Sequence, residues 1–186
     1  MKSPLPIIVL ILFLSAQFVG QTQTLGQAES FVLFTTNGAV TNTGSSFLTG
    51  NVGSNVGGAT GFGNVNGVMH QQNAVTAQAA TDLLLAYDYL DAAIPTYFPG
   101  LLLGNGQVLT PGVYFIAGNA VLNLNLILDA QGNSNAQFII QIDGTLSSNT
   151  NAKVFLQNGA LACNVFWKVE GLVSLAAGSS MKGNVL

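Results

Sequence analysis

The sequence predicts a mostly β fold: a β-helix of stacked coils with one long α-helix packed alongside. Three observations lead there. Glycine is abundant, at 22 of 186 residues, and charge is scarce, at 6%, against about 25% in an ordinary soluble domain. Most of the chain alternates short apolar runs with Gly, Asn, Ser and Thr, as strands and tight turns do. A pattern of five strand-like residues, an acid and a glycine recurs at an offset of 27 residues: Phe138-Ile139-Ile140-Gln141-Ile142-Asp143-Gly144 against Val165-Phe166-Trp167-Lys168-Val169-Glu170-Gly171. Tyr114-Phe115-Ile116-Ala117-Gly118 is a looser third copy. Repetition at this period, with no helix inside the repeat, points to stacked β coils.

The elements follow in order. Met1-Lys2 and the apolar run Pro6 to Leu14 read as a secretory signal over residues 1–20, too short to span a bilayer comfortably. The mature chain is expected to begin between Ala16 and Thr24 and to form one domain over residues 21–186. Residues 30–68 carry short strands such as Phe31-Val32-Leu33-Phe34, separated by stretches such as Thr41-Asn42-Thr43-Gly44. Asn73 to Ile94 contains no Gly or Pro. Its stripe Ala79, Leu83, Ala86, Leu90 and Ile94, widened by Ala80 and Tyr87, predicts an amphipathic helix, ended by Pro95 and Pro99-Gly100. About 20 helical residues extend about 30 Å, which would cover roughly six coils at about 4.8 Å each. Strands resume at Leu109.

Composition also excludes partners. The four basic residues are all lysines and the net charge is −3, so nothing draws the chain to nucleic acid or to an anionic membrane after signal removal.

Several stretches, in order, resemble one known family. They are Leu25-Gly26-Gln27-Ala28 before Phe31; Thr41-Asn42-Thr43-Gly44 with Gly50-Asn51-Val52-Gly53; Gly67-Val68-Met69-His70 at the helix entrance; Leu109-Thr110-Pro111-Gly112-Val113-Tyr114; Leu128-Asp129-Ala130-Gln131-Gly132; and Asn158 to Trp167. Together they resemble the microbial β-solenoid ice-binding proteins. The resemblance implies a discontinuous right-handed β-solenoid with a helix alongside, no cofactor, and an ice crystal surface as partner. It also implies several further strands after Gly183-Asn184-Val185-Leu186. The chain is therefore expected to be truncated, with an open coil edge available for self-association.

Residues that could carry chemistry are few. Asp143 and Glu170 would stack in adjacent coils, about 4.8 Å apart at the backbone. That is close to the spacing of a retaining glycosidase, but each acid precedes a glycine, as turn residues do. His70 has no nucleophile beside it and stands at the helix entrance, where a structural role is expected. One His and one Cys make no zinc site. Asp129, Asn133 and Asn135 lack the carboxylate spacing of a calcium loop. Cys163, among Leu161, Ala162, Val165 and Phe166, is expected to be a small buried hydrophobe. Val165, Trp167 and Val169 share one face of a strand and match Phe138, Ile140 and Ile142, as core residues would. No enzyme is expected.

The resemblance also implies an ice face with a Thr-small-x-Thr/Asn pattern. Its nearest match is Thr43-Gly44-Ser45-Ser46. The 27-residue offset adds Thr150-Asn151-Ala152-Lys153 over Ala177-Gly178-Ser179-Ser180. The candidate ice-binding residues are thus Thr43, Ser46, Thr150, Ser179 and Ser180. An extracellular adhesive or structural module without ice activity is the other function this composition accommodates.

Overall fold

The computed structural model describes residues 24–186; the signal expected over residues 1–20 lies outside them. A short 3-10 turn, Gly26–Ser30, leads into strands β1 (Phe31–Thr35), β2 (Val40–Thr41), β3 (Leu48–Thr49), β4 (Asn51–Ser54), β5 (Ala59–Thr60), β6 (Val65–Asn66) and β7 (Met69–Gln71). Helix α1 (Ala74–Ala92) follows. Then come β8 (Leu102–Gly104), β9 (Gln107–Leu109), β10 (Gly112–Ile116), β11 (Ala120–Asn123), β12 (Asn125–Asp129), β13 (Phe138–Ile142) and β14 (Leu146–Ser148). The last are β15 (Lys153–Gln157), β16 (Val165–Val169), β17 (Val173–Ser174) and β18 (Asn184–Val185). The fold is mostly β with one helix.

The chain deals its strands to three faces in turn. The first face holds β1-β4-β7 and β10-β13-β16-β18, the second β2-β5 and β8-β11-β14-β17, the third β3-β6 and β9-β12-β15. Every paired strand is parallel. The predicted 27-residue offset is the register itself, from Phe138↔Val165 to Ile142↔Val169. The looser copy joins one residue short, from Gly112↔Phe138 to Ile116↔Ile142.

Parallel stacking puts like residues over like, so each alternate row is either core or surface. Leu122, Leu126, Leu128, Ile140, Leu146 and Trp167 are fully buried between the three faces. The Trp167 indole N–H is satisfied by the Lys182 carbonyl at 3.0 Å. Strands β13 and β16 are buried along both rows, because α1 covers their outer side, where Ile139 and Phe166 pack with Leu90.

Helix α1 starts where its sequence can satisfy the free amides of the first turn. Asn73 accepts from the Thr76 amide at 3.1 Å, and Thr76 Oγ1 accepts from the Asn73 amide at 2.9 Å. Thr76, Ala79, Ala86 and Leu90 form its buried stripe. Ile94, expected on that stripe, is instead 83% exposed. Pro95 disfavours helical backbone at the residue before it, and the helix has already ended at Ala92, with Ala93 extended.

Nineteen helical residues reach about 28 Å, and their contacts read out the stack. His70 Nδ1 meets Asn73 beside β7 at 3.3 Å. Asp82 accepts the Gln27 amide ahead of β1 at 2.7 Å. Tyr87 donates to Glu170 after β16 at 2.9 Å, and Gln141 of β13 donates to the Leu90 and Ala93 carbonyls at 2.6 and 2.8 Å. The helix thus returns the chain from the β7 end to the β10 end. Strands β1 and β18 each have a neighbour on one side only. A cleft of about 570 Å³ lies between them, lined by Val32, Leu33, Val173, Leu175, Val185 and Leu186 among others.

Corners between faces need left-handed backbone. At Gly104 (φ +106°) a Cβ would sit 1.9 Å from the Asn123 carbonyl oxygen, so only glycine fits beneath the next coil.

Candidate functional site

The first face is covered by α1, which leaves two uncovered faces to compare. On the second face, Ala120, Leu122 and Leu146 point inward. The outward row is Leu102, Val121, Ser147 and Ser174, in register across four strands. Asn123 and Asn149 form the next outward row, since Leu122 aligns with Ser148. In the N-terminal strands the outward pair is Thr41 and Thr60. No residue from 144 to 151 or from 171 to 178 is charged, and the same holds for residues 118–125 and 101–106.

The third face differs. Its outward rows contain Lys153 beside Asn125, Asp129 beside Gln157, and Ile127 beside Phe155 and Val108. Charged and bulky groups are interspersed, and Phe155 stands 42% exposed. A charge binds its own water shell, and the second face carries no charge. The second face is therefore the one that can order water across several coils.

Thr150, Ser179 and Ser180 come together at the corner between these two faces. Asn151 donates to the Ala177 carbonyl at 3.0 Å, and Ser180 to the Ala152 carbonyl at 2.9 Å. Ser180 bridges Lys153, so the expected stacking of 150–153 on 177–180 is present. Thr150 is exposed, while Ser179 gives its hydroxyl to the Ala176 carbonyl. Thr43 and Ser46 lie in the connection between β2 and β3, and Ser46 donates to Asn42 Oδ1 at 2.8 Å. These five residues are corner residues. The strand-borne hydroxyls Thr41, Thr60, Ser147 and Ser174 escaped sequence reasoning, although Ser147 and Ser174 are themselves 27 apart.

Of the two acids expected to stack, Glu170 does a different job. Glu170 accepts from Tyr87 and is ion-paired with Lys168, which also pairs with Asp91. Lys168 is 5% exposed and lies 5.0 Å from the Tyr87 ring centroid. Burial works against its charge, but hydrogen bonds to Asp91 and Glu170 outweigh that and hold its pKa well above the usual lysine value. The hydrogen bond from Lys168, then that from Tyr87, holds Glu170 below the ordinary carboxylate range. Burial raises the Tyr87 pKa, helped by its bond to Glu170. The group ties α1 to β16.

A glutamate with a depressed folded pKa contributes stability above its unfolded pKa and loses that contribution as pH falls through the folded value. Thermal melts from neutral to strongly acid pH should show Tm falling below the ordinary glutamate range. Glu170→Gln should melt lower at neutral pH and show a shallower acid limb. An acid limb identical to the wild type would remove Glu170 from the clamp.

Cys163 departs from expectation: it is exposed. The 3-10 turn Ala162–Asn164 carries the chain round a corner between β15 and β16, so its side chains point outward despite apolar neighbours in sequence. Asp129 accepts from the Gln131 amide at 2.8 Å and from Asn158 at 2.9 Å, and Asn133 accepts from the Asn135 amide at 3.0 Å. The two amide bonds are local turn bonds, and the Asn158 bond joins the turn to the next coil. Among the described residues no group of three metal-ligating side chains converges.

Comparison with known proteins follows the same lines. A family model described as ice-binding-like matches residues 34–186. An ice-binding protein of Nostoc sp. (strain HG1) is 40% identical over 166 residues, covering 87% of this chain and 61% of that protein. The crystal structure of an ice-binding protein from an Antarctic Flavobacteriaceae bacterium superposes with a TM-score of 0.86 at 60% identity, covering 89% of this chain and 39% of that one. That of the Antarctic ascomycete Antarctomyces psychrotrophicus gives 0.83 at 30% identity, with 89% and 82% covered. The chain thus spans 61% of the Nostoc protein and 39% of the Flavobacteriaceae chain.

Proposed function

The chain belongs to the ice-binding-like family, and we propose that it is an exported protein that adsorbs to ice through its second face. The observation that carries this reading is the row Leu102, Val121, Ser147 and Ser174 with Thr41 and Thr60, on a helix-free parallel sheet without charge. Parallel coils repeat methyls and hydroxyls at about 4.8 Å. A rigid array of this kind holds a water layer in fixed positions with little entropy left to lose on binding. That layer merges with the crystal, and the bound protein pins the growth front. No bond is made or broken and no cofactor is needed. Thr43, Ser46, Thr150, Ser179 and Ser180 extend the surface along its corner towards the third face.

The backbone supports a finer reading of the architecture, a discontinuous right-handed β-solenoid. Coils β8–β18 and β1–β7 form two runs, and the helix between them lies along both.

Ice recrystallisation inhibition by the purified chain tests the function. Inhibition at micromolar concentration is the expected result. A folded, monomeric protein inactive at that level would leave the adhesive or structural reading in its place.

A further inference from the structure

Along the corner that bounds the second face, three asparagines form a ladder. Asn149 Nδ2 donates to Asn123 Oδ1 at 2.8 Å, and Asn123 Nδ2 donates to Asn105 Oδ1 at 2.8 Å. Asn105 is in left-handed backbone at φ 56°, which asparagine tolerates better than most residues, and its amide donates to the Asn123 carbonyl at 2.9 Å. Backbone and side-chain bonds together hold the amides in line, coil above coil.

We propose that Asn105, Asn123 and Asn149 are part of the ice-binding surface, as a pre-oriented row of amides along its edge; this rests on the second face being the ice face. An asparagine amide has two N–H donors and two acceptor lone pairs. Within the ladder Asn123 uses one donor and one acceptor, and the others remain for water. A solitary surface asparagine turns freely about its broad terminal torsion. Here each amide plane is fixed by its neighbours, so no torsional freedom is lost when water is ordered against it. The bonds also fix the polarity of the row: every rung presents its remaining N–H and lone pair in the same sense. Water held by one rung is then matched by water at the next, at the coil spacing of about 4.8 Å.

The ladder stops for one reason. The 27-residue register that aligns Ser147 with Ser174 and Lys153 with Ser180 places Ala176 above Asn149. Alanine cannot form the next rung.

The test measures ice recrystallisation inhibition by the full chain close to its freezing point, together with Tm, for Asn123→Ala, Asn149→Ala, Ala176→Asn and Ser147→Tyr. Asn123→Ala breaks two bonds and should raise the concentration needed about five-fold or more, which corresponds to about 1 kcal/mol. Asn149→Ala breaks one and should have a smaller effect. Ala176→Asn adds a rung and should lower the concentration needed. A merely structural ladder would shift Tm and leave activity unchanged in variants that remain folded at the assay temperature. The proposal is overturned if Ser147→Tyr is inactive while all three ladder variants match the wild type. If Ser147→Tyr is fully active, the second face is not the ice face, and the ladder proposal falls with it.

Discussion

A tyrosine at Ser147 is expected to abolish ice activity while leaving the fold intact. Ser147 stands in the outward row between Val121 and Ser174, and its hydroxyl makes only a long 3.4 Å contact to the Ala120 carbonyl. The larger side chain therefore has open solvent to occupy and breaks little. A phenol ring on this row holds the crystal off the neighbouring coils, so contact is lost over several residues and not at one. Because adsorption sums many weak contacts, a drop of about ten-fold or more in activity corresponds to losing only about 1.4 kcal/mol. Gln157→Tyr on the third face is the matched control and should retain activity. Circular dichroism and Tm should be unchanged in both. Equal loss in both variants, or full activity in the Ser147 variant, would refute the assignment of the face.

Trp167→Ala should produce the largest loss of stability. The indole is fully buried, stacked in register with Ile140 on one side and Val185 on the other. Removing it opens a cavity across the coils and leaves the Lys182 carbonyl without its 3.0 Å donor. Such a change costs about 3–5 kcal/mol, a large part of the roughly 5–15 kcal/mol that holds a domain together. Urea denaturation followed by circular dichroism would measure it. A loss under about 1 kcal/mol would mean that the coils above β16 contribute little to the cooperative unit.

Much of this architecture was legible because a parallel stack writes its register into the sequence. The offset joining Phe138 to Val165 is a hydrogen-bonded alignment, and the Gly- and Pro-free stretch became α1. Trp167 was readable as core because alternation along a strand decides which side it faces. Other features depended on chain reversals that alternation does not describe. Cys163 sits among apolar neighbours yet faces outward on a 3-10 turn. Ile94 keeps helical spacing but falls beyond the point where Pro95 allows helix. Asp143 and Glu170 were placed together correctly by the offset. The sequence could not show Lys168 bridging Glu170 and Asp91, because Asp91 arrives from a helix 79 positions before Glu170 in the chain. The hydroxyl candidates at the corner came from a motif. The strand row beside them follows only from knowing which face the helix leaves bare.

The return of α1 along the stack has a kinetic consequence. Its docking contacts join Gln27 to Asp82, Tyr87 to Glu170 and Leu90 to Gln141, across 55, 83 and 51 positions respectively. The helix can form early from local bonds, within about a microsecond, but has nothing to seat against until β13 and β16 are paired. Closing such long segments before their contacts are rewarded makes folding slow. Until then, the apolar stripe of the helix and the outer sides of Ile139 and Phe166 are both open to water. Assembly is therefore governed by the joining of distant segments, and the same helix that locks the finished stack leaves its partners exposed while the stack is being built.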